Sequence, residues 1–344
     1  MTSINEKLTT INNSLANMRS IYGGTDNNTS VENLQEAIVP TKGIIPIGYN
    51  EEGYPSKLRI KDVGGVIKGR LLGHYLWSKV EEVIIDDYIT SIEGAAFQSC
   101  SQLKAINFTN GFDITEIQGS TFQYCNNLDP SNFLSSKITK IGHYAFLQSG
   151  ITVADLSGVK ELTASQMFYE CRQLKKVILS DEVTSLPSEI FLRCSALEEM
   201  NFPTKLKYIG NSSLAGTGFK KLSLPDSVQY IYDRGIQSCQ QLIQLSYCGN
   251  LSETTAYGTG PIAHNPKLKA VWLGNKFTST SGTTQMNSCS SLKKIFIDLP
   301  RSTVQAYAGY STAWGSYCKN IICNDDEGFM TRKEFDNFDW ENYK

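Results

Sequence analysis

Apolar residues recur along most of this chain in a pattern that repeats every 22 to 26 residues. The clearest copy covers residues 97–108 and reads FQSCSQLKAINF, in which the last apolar residues alternate with polar ones. That alternation predicts a short strand with one buried face. The cysteine of this copy is Cys100, and we call its position the slot; the equivalent residues in the other copies are Cys125, Ser149, Cys171, Cys194, Thr217, Cys239, Asn265 and Cys289.

A second motif precedes the slot, in which two aliphatic residues are separated by two others, as in ITSI at residues 89–92. In two copies the apolar residue after the slot, Ile151 or Phe219, comes one residue early. A period of about 20–29 residues with leucines ahead of a short strand is typical of a leucine-rich repeat, whose stacked coils bury one continuous core. The predicted fold class is therefore a repeat solenoid, β-rich with short strands and irregular or 3-10 turns. Its roughly nine coils would form a rod about 45 Å long.

The repeats also resemble a known family. The copies ITSIEGAAFQSCSQLKAINF and VTSLPSEIFLRCSALEEMNF resemble the BspA-like, or Treponema-type, leucine-rich repeats, and the resemblance covers residues 66–298. It implies a role in surface adhesion or ligand binding, without enzymatic activity.

Ahead of the repeats, residues 3–22 read as an amphipathic helix that Ser3 and Glu6 would cap. Its apolar seam favours a coiled coil of three or four strands, with a trimer preferred. The alternative is a small helical hairpin, in which residues 29–39 form the second helix. The candidate oligomerisation residues are Ile4, Leu8, Ile11, Leu15 and Met18.

Residues 11–43 resemble the N-terminal module of many phage and prophage tail-associated proteins, in which a short helix and a glycine-rich turn precede an ENLQEAI-type helix. This resemblance implies a virion location and contacts with other virion proteins through the helix. The first 30 residues lack the apolar core of a secretory signal, and we expect none. We divide the chain into a helical assembly or docking module (1–39), a β-hairpin connector (40–65), the solenoid (66–298) and a C-terminal cap (299–344).

Composition narrows the classes of function. The formal net charge is −2, and because a dedicated nucleic-acid-binding protein is usually basic, we predict no nucleic-acid partner. No run of 18 apolar residues exists, so no membrane span is predicted. Six of the nine cysteines hold the slot, where we expect buried free thiols because parallel side chains lie farther apart than a disulfide prefers. The other three are Cys248, Cys318 and Cys323.

No catalytic constellation is apparent, and we predict neither an enzyme nor a cofactor. His74, His143 and His264 are the only histidines, and they lie coils apart with no nucleophile motif beside them. Residues 323–334 are spaced like a calcium loop, but Cys323 would hold the first ligand position and is a poor calcium ligand. We interpret this stretch as an acidic turn before a helix that Thr331 and Glu334 would cap, and we predict no metal site.

The candidate ligand-binding surface is the outward face of the strands. Near the C-terminal end, Trp272 and Phe296 hold outward positions on successive coils, with Lys269 and Lys294 beside them and the polar Gln244 and Asn201 farther along the face. Exposed aromatic and cationic side chains are typical of glycan or protein contacts. The alternative is that the C-terminal cap folds over Trp272 and Phe296.

The function we predict is that of a phage or prophage virion protein, tail-associated and receptor-binding, which displays its repeats to a glycan or protein of the host-cell surface. One alternative is a bacterial surface adhesin, located at the cell surface. Another is an inert structural decoration protein, in which the solenoid is a spacer.

Overall fold

The computed structural model describes residues 44–69, 79–251, 260–276, 286–306 and 321–344, without the side chains of residues 250 and 251. The phage-like module lies outside the described residues, and so do its seam residues Ile4, Leu8, Ile11, Leu15 and Met18, together with His74 and Cys318.

The described chain winds as a solenoid, which confirms the predicted repeat fold. Almost every strand pairs in parallel with the strand one repeat later, so that Lys176 lies opposite Val153 on one side and Glu199 on the other. The strands are β1 (Ile44–Tyr49), β2 (Pro55–Ile60), β3 (Val66–Ile67), β4 (Glu82–Ile85), β5 (Ser91–Ile92), β6 (Ala105–Phe108), β7 (Glu116–Ile117), β8 (Lys140–Ile141), β9 (Val153–Leu156), β10 (Lys176–Leu179), β11 (Ser185–Leu186), β12 (Glu199–Met200), β13 (Tyr208–Ile209), β14 (Lys221–Ser223), β15 (Tyr230–Ile231), β16 (Gln244–Tyr247), β17 (Asn250–Leu251), β18 (Ala270–Leu273), β19 (Lys294–Ile297) and β20 (Ile321–Cys323).

Most coils have a front strand and a second, shorter strand. The front strands follow the slot and form a sheet in three segments, with the orders β1-β2-β4-β6, β9-β10-β12 and β14-β16-β18-β19-β20. The shorter strands come from the second motif and pair as β3-β5, β7-β8 and β11-β13-β15-β17. The predicted hairpin is present at the N-terminal end, because β1 and β2 pair antiparallel across residues 50–54.

The turns between the two strand types form a third hydrogen-bonded face. The N–H of Phe122 donates to the Ala145 carbonyl at 2.8 Å, and the N–H of Phe146 donates to the Met167 carbonyl at 2.9 Å. These turns place non-glycine residues in the left-handed region, including Ala95 and Ser99 with φ of 59° and 65°. The bonds to the next coil offset a conformation that is unfavourable for a residue with a Cβ.

The core is built from the slot residues and from the phenylalanines that stand three residues before the slot. The slot thiols are buried, and all except that of Cys100 donate to a backbone carbonyl one coil back; the Cys125 Sγ lies 3.0 Å from the Phe97 oxygen. The six slot cysteines are free, as predicted, and so are Cys248 and Cys323, for which no prediction was made. The phenylalanine rings stack from coil to coil, with centroids 5.1 to 5.6 Å apart along Phe97, Phe122, Phe146, Phe168 and Phe191.

At the C-terminal end, helix α1 (Arg301–Gln305) starts after Pro300, where the cap was predicted, and residues 307–320 of that prediction lie outside the described part. Strand β20 then joins the front sheet, and helix α2 (Arg332–Asn337) follows. The predicted capping box of α2 is present: Thr331 and Glu334 bond to each other's backbone N–H.

Candidate functional site

Residues 321–344 of the C-terminal cap cover part of the front sheet. Its rings pack on the outward side chains of β18 and β19, with Phe335 and Trp340 5.7 Å and 5.9 Å from the ring of Phe296. The indole N–H of Trp272 donates to the Met330 carbonyl at 3.0 Å. Trp272 is 4% exposed and Phe296 2%, so the prediction that this pair is exposed is wrong. The two side chains point outward as expected, but the cap folds over them.

The polar residues around the pair are also used within the chain. The Lys269 ammonium donates to the backbone oxygens of Glu341 and Tyr343, each at 2.7 Å. Gln244 is buried, and its amide donates to the Asp336 carbonyl at 3.4 Å. Lys294 is half-buried at the start of β19. The contacts of Lys269 and Gln244 anchor the cap, so four of the six predicted ligand-binding residues lie under it or at its border: Trp272, Phe296, Lys269 and Gln244.

Arg332 fixes the cap to the sheet at its other edge. Its guanidinium pairs with Asp226, donates to the Ser223 hydroxyl at 3.1 Å and lies 5.9 Å from the ring centre of Trp272. Ser223 in turn donates to Asp336 at 2.8 Å. The covered region of the front sheet therefore ends at β14.

The front sheet is interrupted twice, and both interruptions come just before a shortened coil. The strand after Gly150 is β9 and the strand after Gly218 is β14, and each begins a new sheet segment. A Cβ on Gly150 would lie 2.7 Å from the Leu128 carbonyl oxygen, and one on Gly218 would lie 2.5 Å from that of Ser195. Because the missing residue pulls the chain against the previous coil, only glycine fits at these two positions.

The first interruption is filled by the chain itself. A 3-10 turn, η1 (Pro130–Phe133), stands where the repeat would place a front strand. The Ser131 hydroxyl accepts from the backbone N–H of Thr152 at 3.3 Å and of Val153 at 3.1 Å, and Asp129 also accepts from Thr152. The edge of β9 is therefore capped by side chains.

The second interruption, between β12 and β14, is an open groove of about 590 Å³. Pro203 follows Phe202 and is buried; since alternate residues of a strand face opposite neighbours, its missing N–H ends the ladder towards β10. The Asn201 amide pairs with both backbone groups of Leu179, at 2.6 and 2.9 Å, so this predicted ligand residue is used to cap β10. We call this site the sheet groove and define it by Lys176, Glu199, Met200, Phe202, Phe219 and Lys221.

The sheet groove combines an apolar floor with charged walls. Phe219 is buried, Met200 and Phe202 are half-buried, and the two phenylalanine rings are 6.1 Å apart at 45°. Lys176 and Glu199 form an ion pair of 3.0 Å at the wall and are about half exposed. A floor that accepts an apolar side chain, below groups that fix orientation, is suited to binding a ligand.

Nucleophilic chemistry has little support among the described residues. The exposed His143 accepts from the backbone N–H of Ser165 at 3.0 Å and contacts no thiol or hydroxyl there. Burial raises the pKa of the Cys171 thiol to about 12, and it raises the pKa of Cys289 to the same value, so both remain protonated. Protonated thiols are poor nucleophiles.

The acidic side chains after β20 are bonded to other residues of the same chain. Cys323, Asp325 and Asp326 place ligand atoms within 4.8 Å of one another, but Arg301 forms an ion pair with Asp326 and donates its N–H to Asp325 at 2.9 Å. Glu334, which a calcium loop would use as its last ligand, accepts from the N–H of Thr331 at 2.8 Å. These contacts match the acidic turn that we inferred from the sequence.

A family model described as "BspA type Leucine rich repeat region (6 copies)" matches residues 74–165 and 161–278. The chain belongs to this family. The BspA-type match covers the coils that form both interruptions of the front sheet. No curated protein matches the chain as a relative.

Several solved structures are similar to this BspA-type repeat protein. A leucine-rich repeat protein from Bacteroides ovatus shares 20% identity over 82% of this chain and 90% of that chain, with a TM-score of 0.47. A leucine rich cell surface protein from Faecalibacterium prausnitzii shares 18% identity over 83% and 87%, with a TM-score of 0.45. The leucine-rich repeat protein of T. pallidum shares 15% over 79% and 94%, with a TM-score of 0.35. Within the described ranges, no helix has the length and apolar content needed to cross a bilayer.

The sheet groove was missed at the level of sequence, although its signal was present. Phe219 follows its slot one residue early, as Ile151 does at the first interruption. An early apolar residue marks the place where two neighbouring front strands fail to pair.

Proposed function

We propose that this BspA-type repeat protein is a non-enzymatic recognition protein that holds a macromolecular ligand in the sheet groove. The observation that carries the proposal is the contrast along one sheet face. The cap covers the face from β14 to β19 and η1 fills the first interruption, whereas the groove between β12 and β14 stays open. Its volume lies in the range of about 300–1,000 Å³ that is usual for ligand sites.

The family favours a surface adhesin over the other settings. The resemblance of the repeats to this family implies adhesion or ligand binding, and a repeat face with an open groove supports that role. The bound molecule is a glycan or a protein of a cell surface, and the described part of the chain offers the groove as its contact.

The experiment compares the full chain with two charge-reversal variants. Lys221→Glu changes an exposed wall residue of the groove, and Lys267→Glu makes the same change of charge at an exposed residue outside it. Both are applied to a panel of bacterial and epithelial cells and to a glycan array, and bound protein is measured. We expect Lys221→Glu to bind at least about tenfold more weakly while Lys267→Glu binds like the parent. Equal binding by all three proteins would reject the groove.

The virion setting is a second candidate and has its support in residues 11–43, which resemble phage tail modules. In that setting the seam residues Ile4, Leu8, Ile11, Leu15 and Met18 assemble a trimer that attaches to other virion proteins. Mass spectrometry of purified phage particles induced from the source strain would detect the chain. Its absence from particles, together with a monomeric solution mass, would leave the adhesin.

A further inference from the structure

We infer that the sheet groove takes an extended peptide segment of a partner protein, which adds a strand to the free edge of β14. The inference rests on the proposed function and names its ligand. It depends on which backbone groups face the groove and which of them have partners.

Within a segment of the front sheet, each parallel strand bonds to the one before it. The N–H of Lys175 donates to the Thr152 carbonyl at 2.9 Å, and the N–H of Glu198 donates to Lys175 at 3.1 Å. One coil later the equivalent residue is Lys220, whose carbonyl accepts from Ile243 at 2.8 Å. Its N–H has no such bond to β12 among the described residues, so the ladder stops on that side of β14.

The alternation of a strand decides which groups are left over. The N–H of Leu224 donates to the Ser246 carbonyl at 3.0 Å, so Leu222 and Leu224 direct their backbone groups towards β16. Lys221 and Ser223, which alternate with them, direct theirs into the sheet groove. By the same alternation, β12 directs the groups of Met200 and Phe202 into the groove from the other side.

Side chains cap the edge of β9 and the end of β10, but among the described residues none caps the edge of β14. At the edge of β9, Ser131 and Asp129 accept the free N–H groups, and at the end of β10 the Asn201 amide bonds both groups of Leu179. No side chain among the described residues bonds to the groove-facing backbone of Lys221 or Ser223. Backbone polar groups are normally paired, so an uncapped edge beside an apolar floor calls for a partner.

An extended peptide is the ligand that matches this edge. Donors and acceptors that recur at every second residue of a strand are the pattern that strand addition uses. A peptide in this position turns alternate side chains towards Met200, Phe202 and Phe219, and the others towards Lys176 and Glu199. A glycan could use the charged walls, but it lacks a repeating row of N–H and C=O groups.

The test begins with the full chain as bait for a library of random linear 12-residue peptides displayed on filamentous phage. The selected consensus peptide is then synthesised with each backbone N–H methylated in turn. We expect methylation at alternate residues to weaken binding at least about tenfold, and methylation between them to have little effect, because only every second amide faces β14.

Two proline variants supply the matched control. Lys221→Pro removes an N–H that faces the groove, whereas Lys176→Pro removes the N–H of the equivalent residue, which lies in the β9–β10 ladder. We expect Lys221→Pro to remain folded and to lose peptide binding, and Lys176→Pro to lower the unfolding temperature. The inference is overturned if both variants lose the same stability, or if no selected peptide depends on Lys221 and on its own alternate amides.

The two proposals can fail separately. If Lys221→Glu abolishes binding to cells while no peptide is selected, and glycosidase treatment of the cells removes the binding, the groove binds a glycan and only the peptide inference is wrong. If Lys221→Glu leaves cell binding unchanged and no peptide is selected, both proposals fall.

Discussion

The ring of Phe146 lies parallel to the ring of Phe168 one coil later, with centroids 5.1 Å apart and planes within 1°. On its other side Phe146 meets Phe122 at 5.5 Å. Because each coil contacts only its neighbours, a ring in the middle of such a stack stabilises two coil interfaces at once.

We therefore predict that Phe146→Ala lowers the free energy of unfolding by about 3–5 kcal/mol. Phe146→Leu should cost about 1.5 kcal/mol or less, because leucine already holds the equivalent position at Leu214. Chemical denaturation measures both losses. Tyr88→Ala, at an exposed residue, is the control and should change the free energy of unfolding by nearly zero. A loss for Phe146→Ala no larger than that of Tyr88→Ala would mean that the rings do not stack.

The second prediction concerns the thiols. Burial raises the pKa of Cys100, Cys171 and Cys289 to about 12, and all eight described cysteines are buried. Because the thiolate is the reactive form, iodoacetamide at about pH 8 should label at most Cys318 in the folded chain, and all nine cysteines in concentrated guanidinium. Peptide mass spectrometry assigns the labelled positions. Rapid labelling of slot cysteines in the native protein would contradict their place in the core.

The third prediction is a pH dependence at the capped edge of β9. Partial burial raises the pKa of Asp129, but hydrogen bonds from Ser131 and Thr152 lower it more, so the carboxyl titrates below its usual range. A group with a depressed folded pKa stabilises the fold above its unfolded pKa of about 3.9, and this contribution is lost as the pH falls through the folded value. Asp129→Asn should therefore destabilise the chain near neutral pH, and the difference should shrink in acid.

Thermal unfolding of the parent and Asp129→Asn across this pH range measures the effect. The exposed Asp181→Asn serves as the control, with no comparable change. A difference between parent and variant that stays constant down to acid pH would show that the carboxylate does not hold the edge.

The fourth prediction tests the C-terminal cap. Trp340 is 1% exposed, and its ring lies 5.9 Å from Phe296 and 5.3 Å from Phe335. Trp340→Ala should lower the free energy of unfolding of the cap by about 3–5 kcal/mol and expose Trp272 and Phe296. Binding of an apolar dye should rise, whereas Tyr49→Ala, at a residue 52% exposed, should leave it unchanged. No rise for Trp340→Ala would mean that other contacts keep the cap closed.

The repetitive part of the fold could be predicted because each local signal recurs. Cys100 and Phe97 belong to patterns that appear in coil after coil, so their inward placement is supported many times over. The β1–β2 hairpin and the capping box at Thr331 depend on short-range turn and cap chemistry, which a sequence also carries.

The candidate site could not be predicted in the same way. The exposure of Trp272 depends on Met330, 58 residues later, in a segment that docks once and follows no period. The sheet groove depends on how the chain adjusts where one residue of the repeat is missing. The turn before Gly150 caps the edge of β9 with Ser131, whereas no described side chain caps the edge of β14 after Gly218. The repeat is shortened by one residue in both places, so the sequence pattern does not distinguish them.

The most direct test of the account is amide hydrogen exchange resolved to single residues in the full chain. Lys221 and Ser223 should exchange rapidly because their N–H groups face the sheet groove, whereas Lys176 and Ile178, the equivalent residues bonded to β9, should be protected. Equal protection at all four amides would show that the front sheet runs unbroken from β12 to β14, and that no groove exists there for a ligand to enter.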